Sequence, residues 1–174
     1  MTLKSLLPFE NYTLTTSLSV DEVLNRLAKN IGYEQGFSFS AIARNLDKPY
    51  TGEIIGKTFT MSRNISYKNS FLPVITGQIS AQHGQTQINI KMQPATFILV
   101  FTSIWLGAVA LICISILMDM LSEFDKILQN GLSPVSLIPF GMLILFCLVI
   151  HFAFKMESKI SKNFLAGLLE GVET

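Results

Sequence analysis

In this sequence the side chains that most often carry out catalysis are few and scattered. The two histidines are His83 and His151, and the two cysteines are Cys113 and Cys147. No carboxylate of the first 94 residues is spaced from a histidine or cysteine as an acid–base pair or an activated nucleophile would require. We therefore expect no catalytic, cofactor-binding or metal site, and we interpret the protein as non-enzymatic.

Each histidine and cysteine has an ordinary structural interpretation. His83 precedes Gly84 in a predicted turn, where a solvated side chain is the common case. His151 lies near the end of a long apolar segment, where an ionisable group is a candidate for proton transfer, but neither apolar segment holds an acidic residue to pair with it. Both cysteines lie within apolar segments, so we expect them to pack as small hydrophobic groups and not to form a disulfide or bind zinc.

A polar and aromatic cluster at one predicted strand end is the best candidate for a binding surface. It consists of Arg63, Tyr67, Lys68 and Asn69. Such groups can contact a lipid headgroup or a partner peptide, although exposed strand edges commonly carry the same residue types. These four residues are our candidate contacts for a partner or a headgroup.

Composition favours contact with lipid over contact with nucleic acid. Charged residues make up 14% of the 174 residues, against roughly 25% in ordinary soluble domains, and apolar residues make up 49%. The mean hydropathy of +0.46 points the same way. The formal net charge is only +1, so a broad basic face for nucleic acid is not expected. The length suits one ordinary domain and an anchor.

Two long uncharged segments predict a transmembrane hairpin. Residues 95–118 would form a helix about 36 Å long at 1.5 Å per residue, which exceeds the roughly 30 Å hydrocarbon core of a bilayer. Residues 134–154 form a second uncharged segment, with Pro139 near its start. A chain of this length cannot cover two uniformly apolar helices with a soluble core. We therefore predict an integral, two-pass membrane protein.

Basic residues that flank the two spans predict their orientation. The connecting loop, residues 119–133, carries one cation, Lys126. Since flanks rich in Lys and Arg stay on the cytoplasmic side, we predict a cell membrane location, plasma or inner, with both termini cytoplasmic and the loop external. The outer flanks carry four cations, namely Lys91, Lys155, Lys159 and Lys162.

Residues 1–94 are predicted to form a cytoplasmic, strand-rich domain. Residues 12–18 alternate between apolar and polar side chains, as a half-buried strand does. Ser19 and Glu22 then match a capping box, in which the two side chains satisfy the first N–H groups of a helix. Gly32 stands where a helix commonly ends in a left-handed residue. A strand followed by a short helix is therefore the predicted start.

After this helix the apolar period is close to two. Alternation begins at residues 37–41 and continues in a predicted strand that ends at Ile55, in another over residues 59–67, and on both sides of a turn at residues 83–84. We expect an antiparallel meander of about four strands. With the helix, this predicts an α+β fold.

Residues 155–174 are predicted to form an amphipathic helix. Its apolar stripe can pack on the sheet or lie on the membrane surface, where the lysines of this segment would meet anionic headgroups. We favour the sheet because the glutamates of the same segment oppose binding to anionic lipid. The stripe consists of Met156, Ile160, Phe164, Leu165, Leu168, Leu169 and Val172.

Two functions are compatible with these patterns. The first is a membrane-anchored interaction module, or a small subunit of a membrane complex, whose partners are the lipid bilayer and either another protein or a second copy of the chain. The alternative is a protein that binds lipid or another apolar ligand in a cavity between the sheet and the tail helix, for which the 13 phenylalanines are a partial motivation.

Overall fold

The computed structural model describes residues 8–33, 48–82, 84–123, 131 and 133–173. Within these ranges the fold is α+β, with a mixed seven-stranded sheet and three helices, two of them long and apolar. The predicted strand at residues 37–41, the turn residue His83 and residues 124–130 and 132 of the predicted loop lie outside the described residues.

The chain divides into two compact units. The first, which we call the sheet unit, comprises Met1–Ala95 and Ala153–Thr174. The second, the helical unit, comprises Thr96–Phe152. The helical unit is therefore an insertion into the sequence of the sheet unit.

The elements follow in this order along the chain. The strands are β1 (Glu10–Thr16), β2 (Ile31–Tyr33), β3 (Tyr50–Ile55), β4 (Thr58–Arg63), β5 (Pro73–Gln82), β6 (Gln85–Pro94) and β7 (Val172–Glu173). The helices are α1 (Val20–Asn30), α2 (Thr96–Ser122) and α3 (Pro134–Leu168).

The sheet has the strand order β2-β3-β4-β5-β6-β1-β7. Most neighbours pair antiparallel, but β2 and β3 are parallel, with Ile31 opposite Tyr50. The predicted antiparallel meander of about four strands is present as β3 to β6, but the whole sheet has seven strands and is mixed. Residues 34–49 connect β2 to β3, and a connection of that length can return the chain to start a parallel strand, which a tight turn cannot do.

Strand alternation and glycine turns account for the antiparallel part of the sheet. Gly56 and Gly84 have φ angles of +58° and +78°, which glycine adopts at little cost, and they join β3 to β4 and β5 to β6. The predicted strand over residues 59–67 ends earlier, at Arg63. Arg63 lies opposite Tyr50, the first residue of β3, so β4 has no pairing partner on that strand beyond this point.

The first helix begins as predicted but ends differently. The Ser19 hydroxyl accepts a hydrogen bond from the Glu22 N–H at 3.2 Å and thereby caps α1. The predicted left-handed end at Gly32 is wrong, because Gly32 belongs to β2 and pairs with Thr51. Instead, the Lys48 ammonium group donates to the carbonyl oxygens of Ala28 and Ile31 at the end of the helix.

The last part of α3 packs on the sheet. Phe154, Leu165 and Leu169 are fully buried in the same core as the apolar residues of β1 to β6. The predicted stripe is partly wrong, because Met156 and Ile160 are exposed. The residues that face the sheet between the buried apolar ones are polar, namely Glu157, Ser158 and Ser161.

In the helical unit, apolar side chains cover the outside of the helices. α2 has 27 residues and α3 has 35, and both are long and apolar enough to cross a membrane by length and composition. Pro139 lies inside α3, near its start. α3 is one helix as far as Leu168, so it contains both the segment predicted as the second span, residues 134–154, and most of the segment predicted as a tail helix.

Candidate functional site

A buried carboxylate on α3 is the centre of the most unusual polar cluster in the described part of the sheet unit. Glu157 has a side chain that is only 3% exposed. Its Oε2 atom accepts a hydrogen bond from Arg63 Nη1 at 2.8 Å. Its other oxygen, Oε1, accepts a hydrogen bond from the Tyr67 hydroxyl. We call Arg63, Tyr67 and Glu157 the carboxylate cluster.

Strand alternation places the arginine of this cluster. Phe59 and Met61 are buried on the face of β4 that the helices cover, and Arg63 is the next residue on that face. The chain then leaves the sheet, which brings Tyr67 to the same carboxylate. The end of β4 and the segment after it therefore both bind Glu157 of α3.

Of the four candidate contact residues, the structure brings three onto α3. Arg63 and Tyr67 bind Glu157, and the Asn69 amide donates to the carbonyl oxygen of Ala153 at 3.2 Å. Asn69 also accepts from the Phe71 N–H at 2.9 Å, which fixes its side chain. Lys68 is exposed. Their predicted role as contacts for a partner or headgroup stays a prediction.

The Glu157 carboxylate raises the pKa values of both of its hydrogen-bond donors. The hydrogen bond to Glu157 raises the pKa of Arg63, so the guanidinium stays charged. The same carboxylate raises the pKa of the Tyr67 hydroxyl, because ionisation would break the hydrogen bond and bring two negative charges together. The cluster is therefore one buried ion pair with one neutral hydrogen-bond donor.

A second polar group lies one turn further along α3. The Tyr50 hydroxyl donates to Ser161 Oγ at 3.1 Å. Ser158 Oγ and the Tyr12 hydroxyl are buried, and neither has a hydrogen-bond partner among the described residues. Burial raises the pKa of Tyr12 and of Tyr50, and Glu10 and Glu173 add to the effect at Tyr12.

Ion pairs at the edges also connect the end of the chain to the rest of the sheet unit. Lys155 pairs with Glu10, Lys162 pairs with Glu173, and Arg26 pairs with Glu170. Each is partly exposed, so solvent screens the attraction and each is expected to contribute little to stability. Buried Glu157 is different, because removing one partner of a buried pair leaves an uncompensated charge.

This arrangement is suited to holding two elements together. The carboxylate cluster uses both oxygens of Glu157 for partners on the sheet side, so it fixes which face of α3 meets the sheet. Within the described ranges, no three side chains of His, Cys, Asp or Glu are grouped as a metal site requires.

Sequence reasoning missed Glu157, although a signal was available. Counting back from Leu165 by helical steps gives Ser161, then Ser158 or Glu157, then Phe154, and this is the face that the structure buries. The apolar stripe at Met156 and Ile160 obscured that pattern. Only the partners on β4 and after it reveal why polar residues occupy a buried face.

The predicted alternative of an apolar cavity concerns the same interface. Phe154, Leu165 and Leu169 occupy the space between sheet and helix with fully buried side chains. A cavity of about 550 Å³ lies elsewhere and is lined mainly by polar residues of β1, β5 and β6. Binding of an apolar ligand between sheet and helix stays a prediction.

Comparison with known proteins gives no relative. No family model, no curated protein and no solved structure matches this chain.

Proposed function

We propose that the protein is a non-enzymatic interaction module that two transmembrane helices anchor in a cell membrane. The observation that carries the proposal is the exposure of apolar side chains over α2 and the first part of α3. Phe97, Ile104 and Leu111 are 75%, 70% and 69% exposed. Lipid is the solvent that would favour such a surface, because water would not.

The division of the chain supports a hairpin. The sheet unit contains the residues before α2 and the residues after Phe152. One folded unit cannot lie on both sides of a bilayer, so the chain must cross an even number of times. Two helices of sufficient length meet that condition.

Charge supports the proposed orientation. Lys91 precedes α2, and Lys155, Lys159 and Lys162 lie in the last part of α3, whereas the sequence between the two helices carries only Lys126. The excess of cations on the outer flanks favours a cytoplasmic sheet unit and an external loop in a plasma or inner membrane.

The carboxylate cluster supports a role in interaction. It ties the end of β4 and the segment after it to the last part of α3. Tyr67 of the cluster and the neighbouring Lys68 are exposed and are available to a protein partner or a second copy. We propose this corner as the contact surface of a small subunit in a membrane complex.

The anchoring is tested with the full chain. After expression, membranes are washed with high salt and with sodium carbonate, and a reporter fused to the C-terminus is assayed on either side of the membrane. We expect the protein to stay in the washed pellet and the reporter to be active only in the cytoplasm. Release into the supernatant, or an external reporter, would refute the anchoring or the orientation, respectively.

The interaction role needs a separate measurement. Native mass spectrometry of the chain released from mild detergent should show a dimer or a stable second protein. Lys68→Glu should reduce that species several-fold, whereas Lys57→Glu, in the turn between β3 and β4, should not. A monomer for all three proteins would contradict the proposed role without affecting the anchoring.

A further inference from the structure

A polar cleft lies on the face of the sheet that the helices do not cover. Its volume is about 550 Å³, within the roughly 300–1,000 Å³ range of ligand pockets. It is bounded by β1, β6 and β5, which are neighbours in the sheet. The lining residues are Asn11, Tyr12, Thr13, Thr76, Gln78, Asn89, Ile90 and Lys91.

Register aligns the polar side chains of the cleft in two rows. Asn89 on β6 lies between Thr13 on β1 and Gln78 on β5. Lys91 lies in the same way between Asn11 and Thr76. All six alternate along their strands with core residues, so their side chains lie on the outer face.

The chemistry of the rows is that of neutral hydrogen bonding. Amides and hydroxyls both donate and accept, as the hydroxyl groups of a sugar or cyclitol ring do. The Thr13 hydroxyl donates to Asn89 Oδ1 at 3.0 Å, which orients the Asn89 amide so that its NH₂ group is the donor to a ligand. A ring of hydroxyls is therefore the ligand class that these side chains match best.

Charge limits the ligand further. Lys91 is the one charged residue among the eight that line the cleft. The absence of a carboxylate from this set disfavours a cation, and a single lysine is too little for a polyphosphate. A face that met only water would be expected to carry a mixture of Lys and Glu, which this one does not.

The position of Lys91 in the chain suggests where such a ligand would come from. Five residue steps separate Lys91 from Thr96, the first residue of α2, and a fully extended chain spans at most about 3.6 Å per residue. Lys91 is thus within about 18 Å of the start of the proposed membrane span. We therefore consider a lipid headgroup with one phosphodiester and a polyhydroxylated ring as one source of the ligand.

We propose that this cleft binds a polyhydroxylated ring that carries at most one negative charge. The ring belongs either to a lipid headgroup such as phosphoinositol or to a soluble phosphodiester of a sugar or cyclitol. The amide and hydroxyl rows bind the hydroxyls, and Lys91 binds the phosphate. The lipid source rests on the proposed anchoring, but the binding chemistry does not.

The first arm of the test uses the soluble probe glycerophosphoinositol, a phosphodiester with one negative charge, titrated onto the full chain in neutral detergent and followed by NMR of the side-chain amides. We expect saturable shifts with a Kd on the order of a millimolar, as suits a small polar ligand. Asn89→Leu should weaken binding at least tenfold. Gln87→Leu, two residues away on the same face but outside the cleft, should leave it unchanged.

The second arm identifies the source. Native mass spectrometry of the chain in nanodiscs compares phosphatidylinositol with phosphatidylserine, which has the same net charge. Retention of the inositol lipid alone, lost in Asn89→Leu, supports a lipid headgroup, and soluble binding without that preference supports a soluble ligand. Absence of saturable binding in both arms, or binding that Asn89→Leu does not change, would overturn the proposal. If the washes released the protein from membranes, the anchoring would be refuted, but the titration with the soluble probe would still test the binding chemistry.

Discussion

Phe59, Ile75 and Met92 are fully buried in the sheet unit, whereas Leu111 and Ile104 in the helical unit are among its most exposed side chains. In water, apolar groups are driven inward, and the sheet unit follows that rule. The helical unit does the reverse over most of its surface. This contrast supports the proposal that water surrounds the sheet unit and lipid surrounds the helical unit.

α3 contains the same contrast within a single helix. Its first part exposes Leu145 and Leu148, while its last part buries Glu157 and Ser161. Polar groups can be buried in the second part because Arg63, Tyr67 and Tyr50 provide hydrogen-bond partners, which a lipid environment does not. The surroundings of a helix, and not its own composition, therefore decide which face is covered.

The largest expected effect comes from a charge placed on the helical unit. Leu111→Arg should raise the free energy of membrane insertion by roughly 3–4 kcal/mol and reduce the fraction retained in the carbonate-washed pellet. The matched control is Ile55→Arg in the sheet unit, since Ile55 is 68% exposed and Leu111 is 69% exposed. If both variants were retained equally in the washed pellet, the two units would not differ in the way that their exposed apolar side chains suggest.

Loss of the charged partner of the buried carboxylate should be the next largest effect. Arg63→Met leaves the Glu157 carboxylate, which is 3% exposed, without that partner and should lower the free energy of opening of the sheet unit by about 3 kcal/mol, measured by hydrogen exchange of the amides of β3 to β6. Lys159→Ala, at an exposed position of α3, should change it by less than about 0.5 kcal/mol.

A double substitution separates the loss of a partner from the loss of packing. In the Arg63→Met, Glu157→Leu variant neither charge remains, so most of the lost stability should return. If the double variant is as unstable as Arg63→Met alone, the unpaired charge of Glu157 is not the cause. The ion pair of the carboxylate cluster would then not be what stabilises the packing of α3 on the sheet.

Local sequence rules predicted much of the sheet unit. The cap at Ser19, the strand that ends at Ile55 and the alternation along β5 and β6 depend on neighbouring residues, and the structure confirms them. The parallel pair of β2 and β3 could not be predicted, because it depends on the path of residues 34–49. Pairing between distant segments leaves no local pattern.

The candidate site shows the same limit. Arg63, Tyr67 and Asn69 were recognisable as a cluster from their closeness in the sequence, but Glu157 is 94 positions from Arg63. A buried carboxylate is expected only where a partner exists, and that partner is set by how α3 packs on β4. Met156 and Ile160 were placed on the apolar stripe that was favoured to pack on the sheet, but they are exposed, because helical spacing alone does not show which face of a helix another element covers.

A smaller effect should follow from filling the space at Gly77. A Cβ atom there would lie 2.1 Å from Phe59 Cζ, and Phe59 is fully buried, so Gly77→Ala should destabilise the sheet unit by about 1–3 kcal/mol in the same exchange measurement. Adding Phe59→Leu should make the double variant less unstable than the sum of the two single ones. A Cβ atom at Gly107 in α2 would have no atom within 4 Å, so Gly107→Ala should not lower the stability.

The smallest expected effect distinguishes two buried tyrosines on the face that meets α3. Tyr50→Phe removes the hydrogen bond to Ser161 and should cost about 1 kcal/mol at neutral pH, whereas Tyr12→Phe removes a hydroxyl that has no partner among the described residues and should cost less. The measurement is the thermal midpoint of the sheet unit, followed by circular dichroism.

The two tyrosines should also make the stability of the sheet unit depend on pH. Because burial raises the pKa of both tyrosines above the ordinary 10.0, the folded state favours their neutral forms. Their contribution to stability is complete below pH 10 and is lost as the pH rises from 10 towards the folded-state pKa values. The thermal midpoint of the parent protein should therefore decrease as the pH is raised above 10. The thermal midpoint of each Phe variant should decrease less steeply. If the Tyr12→Phe and parent curves were parallel there, Tyr12 would be solvated, and α3 would not cover that part of the sheet.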